Sequence, residues 1–378
     1  MVSCDGRTQA ADRFQTAWRE RSAGSGMDCL AGHRSPRQTN DKRSAPGLET
    51  CVEAGPRSVR ARATQKIHVE PRASLPEVRA IIVGTGQTVN PPRVAVIIPT
   101  FNRWPHVRQA VDSVLTQTYP NAECVVVDDA STDGTSHFLC GEYRDRVRFL
   151  TKAVNGEKSA ARNDGIRATK AAFVCFLDSD DLLTPDSVEA RIELYLRDPT
   201  FDGVVYGPVV SEQNEVPKAC PEGDVLAAYV RHRFVRNPGF LISLQNMLTH
   251  GMYREDLTHR EDVELLIRLA ATFPFKCCKV PVARIRRLDR SARFDYAKQV
   301  RQGDRVVRYL RNDPFVVERL GKRFADVEFH EAKELAGADY RLGDLPAFRR
   351  GYLQLWKRWP SRAALEGRFL RRFLGSFL

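Results

Sequence analysis

Three short, unbroken apolar runs constrain what this chain can fold into: Val94-Ala95-Val96-Ile97-Ile98, Cys124-Val125-Val126-Val127 and Phe173-Val174-Cys175-Phe176-Leu177. Runs of this kind, rich in β-branched residues and bounded by turn residues, read as strands covered on both faces. After the first, Val107, Ala110, Val111, Val114 and Leu115 recur at helical spacing until Tyr119-Pro120 stops them. Residues 147–150 read as a further short strand, and a helix from 157 to about 170 leads into the third run. Strand, helix and strand alternating at these intervals predict an α/β fold, a doubly wound, mostly parallel sheet with helices on both faces. Ligands of such sheets sit at the carboxyl ends of the strands.

Two of those ends are acidic. The third run drives into Asp178-Ser179-Asp180-Asp181, and the second closes in Asp128-Asp129. Carboxylates placed so suit a hard cation such as Mg²⁺ or Mn²⁺ with a substrate phosphate in its shell. Asp129, fixed at a strand end, can also accept from the imide N–H of a uracil or from a ribose hydroxyl. The plainer reading is local: an Asp-rich cap before Pro185-Asp186-Ser187, and a turn built on Ser131-Thr132-Asp133. Repetition favours the functional reading, because like charges gathered at one sheet edge are costly unless a cation or a donor-rich ligand offsets them.

Composition sets the frame. The 378 residues, 42% hydrophobic and 28% charged, describe a globular protein of two domains, or of one large domain with appendages. Residues 1–90 are expected to be a disordered extension, 91–290 the catalytic domain and 291–378 a basic helical region. Gly84-Thr85-Gly86 begins like a dinucleotide fingerprint, but Pro91-Pro92 stands where the receiving helix should be. No apolar run is long enough to span a membrane. The first residues lack a secretory pattern, and Asp5, Asp12 and Glu20 argue against a transit peptide. The nine scattered cysteines show no metal or redox spacing, so a reduced, cytoplasmic setting is expected. The net charge of +12 is concentrated after Lys276 and suits nucleic acid, anionic lipid or phosphorylated substrates alike.

Four blocks in order carry a resemblance. Val94-Ala95-Val96-Ile97-Ile98-Pro99-Thr100-Phe101-Asn102-Arg103, then Val125-Val126-Val127-Asp128-Asp129-Ala130-Ser131-Thr132-Asp133-Gly134-Thr135, then Ala160-Ala161-Arg162-Asn163-Asp164-Gly165, then Asp178-Ser179-Asp180-Asp181 resemble the family 2 glycosyltransferases over residues 93–287. The resemblance implies a GT-A fold and a nucleotide-sugar donor, with UDP as the nucleotide. It puts Pro99, Thr100, Asn102 and Asp129 on the donor side, with Thr100 and Asp129 at the uridine. Asp178 and Asp180 would form the DxD motif, Asp180 ligating the Mg²⁺ or Mn²⁺ that bridges the diphosphate and Asp178 lying beside it. Lys158 and Arg162 fall in the donor-side segment, and a packing role for Arg162 stays open.

An inverting transfer also needs a base for the acceptor hydroxyl. Glu261-Asp262 precedes Val263, Leu265, Leu266, Ile267 and Leu269, which read as a buried helix, and a carboxylate in its first turn is favoured by the helix dipole. The pair resembles the family's Glu-Asp motif, with Asp262 as the base. His259 and Arg260 before it face either an anionic acceptor or solvent. Gln354-Leu355-Trp356-Lys357-Arg358-Trp359 is one residue longer than the motif of processive members, so single-residue transfer is expected. The last segment alternates aromatics with arginines, as in Phe369-Leu370-Arg371-Arg372-Phe373. It suits either peripheral contact with an anionic inner membrane face or packing on the catalytic domain. The expected enzyme is an inverting, metal-dependent, non-processive glycosyltransferase acting on a saccharide or lipid-linked acceptor, not on nucleic acid. A nucleotidyltransferase and a non-catalytic basic binding protein are the alternatives.

Overall fold

The computed structural model describes residues 91–211, 220–286, 304–365 and 367–377, the short pairs 82–83 and 87–88, and residues 296, 300 and 302. The expectations for residues 1–90 and for Gly84-Thr85-Gly86 lie outside the described residues, apart from a two-residue ladder of Ile82–Val83 on Gln87–Thr88. Val94–Thr100 (β1), His106–Leu115 (α1), Ala122–Asp128 (β2), Thr135–Tyr143 (α2), Arg148–Thr151 (β3), Glu157–Ala168 (α3) and Phe173–Phe176 (β4) follow one another, all but α2 as the sequence predicts. Next come Leu182–Leu183 (β5), Ser187–Leu196 (α4), Val204–Tyr206 (β6), Val209–Val210 (β7), Leu226–His232 (α5), Phe240–Ser243 (β8) and Leu244–Thr249 (α6). Glu261–Thr272 (α7), Phe275–Cys277 (β9) and Ala283–Arg284 (β10) complete the sheet region.

The main sheet has seven strands in the order β9-β6-β8-β4-β1-β2-β3, parallel throughout except that β8 runs against both of its neighbours. Its strands alternate faces as the pleat requires. Val94, Val96 and Ile98 pack with Val107, Val111, Cys124 and Cys175 on the α1 side, so two of the cysteines serve as small apolar fillers. Ala95, Ile97, Val127 and Phe176 pack with Ala161 and Leu266 on the side of α3 and α7. A β-carbon on Gly165 would stand 2.5 Å from Ile97 Cγ2, which is why α3 needs glycine where it lies on β1. Thr100 stands opposite Asp128, and Asp128 opposite Thr151, so the strand ends form one edge.

The carboxyl-terminal helices are Arg305–Arg311 (α8), Pro314–Leu320 (α9), Phe324–Leu342 (α10), Leu345–Arg358 (α11), Pro360–Leu365 (α12) and Gly367–Gly375 (α13). The first of these helices share the core of the sheet region. Val306, Leu310, Val316, Leu320 and Val327 join the cluster that holds α7. The reason lies in α7, whose residues from Val263 to Ala271 are all buried and need cover on more than one side. A separate cluster of Phe329, Phe348, Tyr352, Leu355 and Phe369 then joins α10, α11 and α13.

That cluster accounts for two of the tail's aromatic residues. Phe369 is buried in it, and Phe373 packs on Tyr352 with ring centroids 4.7 Å apart. Phe369 and Phe373 are taken up by the helical hairpin rather than laid on the core of the sheet domain. Leu374 and Phe377 stay exposed. Among the described residues no helix is long and apolar enough to cross a membrane.

Candidate active site

At the edge made by β1, β2 and β3, the two acids after β2 divide their tasks. Asp128 accepts from Ser131 N at 3.1 Å and from the Ser131 and Ser136 hydroxyls, and so builds the turn. Asp129 is 2% exposed, and its Oδ1 accepts from Lys152 Nζ at 2.7 Å and Gly156 N at 2.9 Å. The charge that seemed to demand a ligand is thus offset in part by the protein itself. A β-carbon on Gly156 would meet Lys152 Nζ at 2.4 Å, so glycine leaves the lysine its path. Lys152 was missed in the sequence, although it stands directly after a strand of the same edge.

Asn102, with φ 49°, accepts from Thr132 N at 2.8 Å and donates its own N–H to Ser131 Oγ at 2.9 Å, joining the loops after β1 and β2. Pro99 lies within β1 opposite Val127. Thr100 is buried at that strand's end, and its hydroxyl has no partner.

Beyond β4, one carboxylate oxygen from each of Asp178, Asp180 and Asp181 lies within 4.8 Å of the others. Three hard oxygen donors so close fit a divalent cation such as Mg²⁺ or Mn²⁺. Asp181 is buried and accepts from Arg286 N at 3.0 Å, while Arg286 Nε donates to the Asp180 carbonyl at 2.6 Å and its NH2 to the His106 carbonyl at 3.2 Å. Arg286 thereby ties the acidic loop to α1. No pattern in the sequence marked it.

Arg162, expected in the donor-side segment with a packing role left open, is held between two acids. It is 1% exposed, with one arm 2.6 Å from Asp178 Oδ1, the other 2.8 Å from Glu261 Oε1, and its guanidinium 5.1 Å from the Tyr253 ring centroid. It is a buried strut between the acidic loop and the start of α7. Lys158 is more exposed and reaches the same Glu261 oxygen at 2.7 Å.

The other polar groups of α3 hold the segment that enters α7. Ser159 Oγ donates to the Leu257 carbonyl at 2.8 Å, and Asn163 brackets Tyr253, donating to its carbonyl at 2.9 Å and accepting from its N–H at 3.0 Å. Arg268, paired with Glu264, donates to the carbonyls of His250, Gly251 and Met252. Burial alone would raise the Glu261 carboxyl, but Lys158 and Arg162 together outweigh it and hold it below the ordinary value. Asp262, half-buried, is pushed up by burial and by the neighbouring Glu261 charge, and its Oδ1 accepts from Val263 N at 2.9 Å. Arg260 is turned neither to solvent nor to an open acceptor face; it pairs with Glu331 of α10 at 2.6 and 2.7 Å.

The chain is thus an α/β protein whose mostly parallel sheet carries a carboxylate cluster beyond β4 and a second acid pair at the start of α7, at the strand ends where open sheets of this kind take their ligands. Residues 95–247 match the family model "Glycosyl transferase family 2", and the chain carries a family 2 glycosyltransferase domain. A Rickettsia prowazekii protein described as uncharacterized glycosyltransferase RP339 is 36% identical over 189 residues, 47% of this chain and 59% of the relative. Escherichia coli chondroitin synthase is 30% identical over 196 residues, 49% of this chain and 27% of the relative. The chain thus spans less than two thirds of the length of these relatives. Residues 1–349 of S. aureus TarS share the fold at a TM-score of 0.52 and 15% identity, covering 75% of this chain and 89% of that one; the same fragment is also solved in complex with UDP-GlcNAc, at a TM-score of 0.50. The expected GT-A fold and family are therefore borne out.

Proposed function

We propose that the protein is an inverting, metal-dependent, non-processive glycosyltransferase that moves a sugar from a UDP-sugar to a saccharide or lipid-linked acceptor. The observation that carries it is the pairing of two acidic stations, Asp178 with Asp180 and Glu261 with Asp262, through one buried arginine. TarS in complex with UDP-GlcNAc supports the donor class, and chondroitin synthase supports a saccharide acceptor.

In this reading Thr100 and Asp129 meet the nucleoside, with the unpartnered Thr100 hydroxyl as one contact. Asp180 and Asp178 would hold Mg²⁺ or Mn²⁺, whose charge would stabilise the departing diphosphate. The acceptor oxygen bonds to the anomeric carbon as the bond from that carbon to the diphosphate oxygen breaks. The electron pair of the broken bond leaves with the nucleoside diphosphate, and the hydroxyl proton passes to the Asp262 carboxylate. Burial and the Glu261 charge make that carboxylate a better base than an exposed aspartate.

Asp180→Ala is expected to weaken UDP binding in the presence of Mn²⁺ by roughly tenfold or more. Asp262→Asn is expected to spare UDP binding and to lower transfer by roughly 10²-fold or more. Calorimetry with UDP and a screen of UDP-, GDP- and dTDP-sugars measure both. Retention of donor turnover in both variants overturns the mechanism.

A further inference from the structure

Two residues near the proposed base hold left-handed backbone conformations although neither is glycine: Arg233, after α5, at φ 48°, and Arg260, before α7, at φ 60°. Such a conformation costs on the order of 1–2 kcal/mol for a residue with a β-carbon, and it persists only where the surroundings impose it. Both side chains converge on one carboxylate. Glu331 of α10 takes Arg260 through both oxygens, at 2.6 and 2.7 Å, and Arg233 NH2 at 3.4 Å. Glu331 is buried and ionised: burial would raise it, but Arg260 and Arg233 outweigh that effect and hold it below the ordinary glutamate value.

The same helix is tied down a turn earlier. Asp326 is ion-paired with Arg231 of α5 at 3.5 Å and with Arg362 of α12 at 2.5 Å. Glu331 thus stands on a braced helix, and that helix lies outside residues 95–247, where the family model matches.

We infer that Glu331 is a positioning residue for transfer: through Arg260 it holds the turn that opens α7, and so aims the Asp262 carboxylate at the acceptor hydroxyl. Asp262 lies two residues beyond Arg260, and a bidentate arginine–carboxylate pair fixes orientation as well as distance. The inference rests on the reading of Asp262 as the base. It gives the carboxyl-terminal region a part in catalysis without contact with substrate.

The test uses the full chain with Glu331→Gln, Glu331→Asp, Arg260→Lys and, as reference, Asp262→Asn. For Glu331→Gln the expected result is a kcat lowered by roughly tenfold, the scale set by a small misplacement of a reacting group. KM for the donor and UDP affinity should stay within about twofold, since the donor contacts lie across Arg162. Glu331→Asp, which keeps the charge, should recover part of the lost kcat.

The pH profile adds a readout that mere loss of packing would not move. Asp262 feels Glu261, Lys158, Arg162 and Arg260, and also the neighbouring Arg233, Tyr229 and Tyr253. Removing the Glu331 charge leaves Arg233 and Arg260 uncompensated, which favours the Asp262 carboxylate and moves the acid limb of kcat to lower pH.

A kcat within about twofold of the parent in a folded Glu331→Gln protein overturns the inference, as does a parallel loss of UDP affinity. If Glu331→Gln does not fold, Arg260→Lys decides by the same criteria, since it keeps the cation and loses the fork. Failure of the underlying reading looks different: Asp262→Asn would then also transfer normally.

Discussion

At Asp129 the carboxylate is nearly sealed from solvent, and Lys152 supplies its cationic partner. Removing the lysine leaves the Asp129 charge buried with only the Gly156 N–H to offset it. Lys152→Met is therefore expected to lower stability by roughly 3 kcal/mol at neutral pH, read from urea denaturation. Glu261 gives a pH dependence of known sign. Its carboxyl is held below the ordinary value, so the stability it contributes is present above about pH 4.3 and is lost as pH falls through the lower folded value. Glu261→Gln should flatten that acid limb in thermal melts taken from pH 6 to about 3, and an unchanged limb would refute the assignment. The acids of the site were legible because they crowd the ends of apolar runs. Their partners were less so, for physical reasons. Lys152 and Arg162 find Asp129 and Asp178 only once strands and helix are stacked, and Glu331 reaches Arg260 across 71 residues of chain.

Among the elements, α3 is the one whose part the structure changes most. Lys158 and Arg162 were expected in a donor-side segment, and in the structure Ser159 and Asn163 hold the segment entering α7 while Arg162 joins Asp178 to Glu261. Gly165 sets how close the helix lies. Alanine there would gain about 1 kcal/mol of helix propensity. Its methyl group, though, would stand 2.5 Å from the stiff Ile97 side chain and 3.3 Å from Val127 Cγ2. Gly165→Ala should therefore be destabilising overall, by about 1–3 kcal/mol in denaturant titration. The same crowding should propagate to Asp262, lowering transfer more than UDP binding. Up to β4 the strands and the helices α1 and α3 were legible because period and turn residues agree there, whereas α2 carries no apolar period and was not. The short strands β5, β7 and β10 were not, since two residues carry no period, and their pairing is settled by long-range contacts.

For the whole molecule, the tail separates two kinds of apolar residue that look alike in the sequence. Phe369→Asp should disrupt the α10–α11–α13 cluster and lower the melting temperature by several degrees, at a cost of about 3 kcal/mol or more. Leu374→Asp, at an exposed site, should change it little, and equal effects of the two would contradict this packing. The reversed strand β8 has a consequence for how the chain is made. β1 to β4 and their helices are complete once Phe176 has been synthesised, and they close on one another through local crossovers. The free edge of β4, however, accepts only Phe240–Ser243, which the ribosome delivers after β6. Until then β4 is an open edge beside a strand, β6, that must not take the place. The nascent chain therefore passes through a stage in which β1 to β4 are assembled and the sheet is unfinished, and that stage is where a chaperone or an aggregate has its opening.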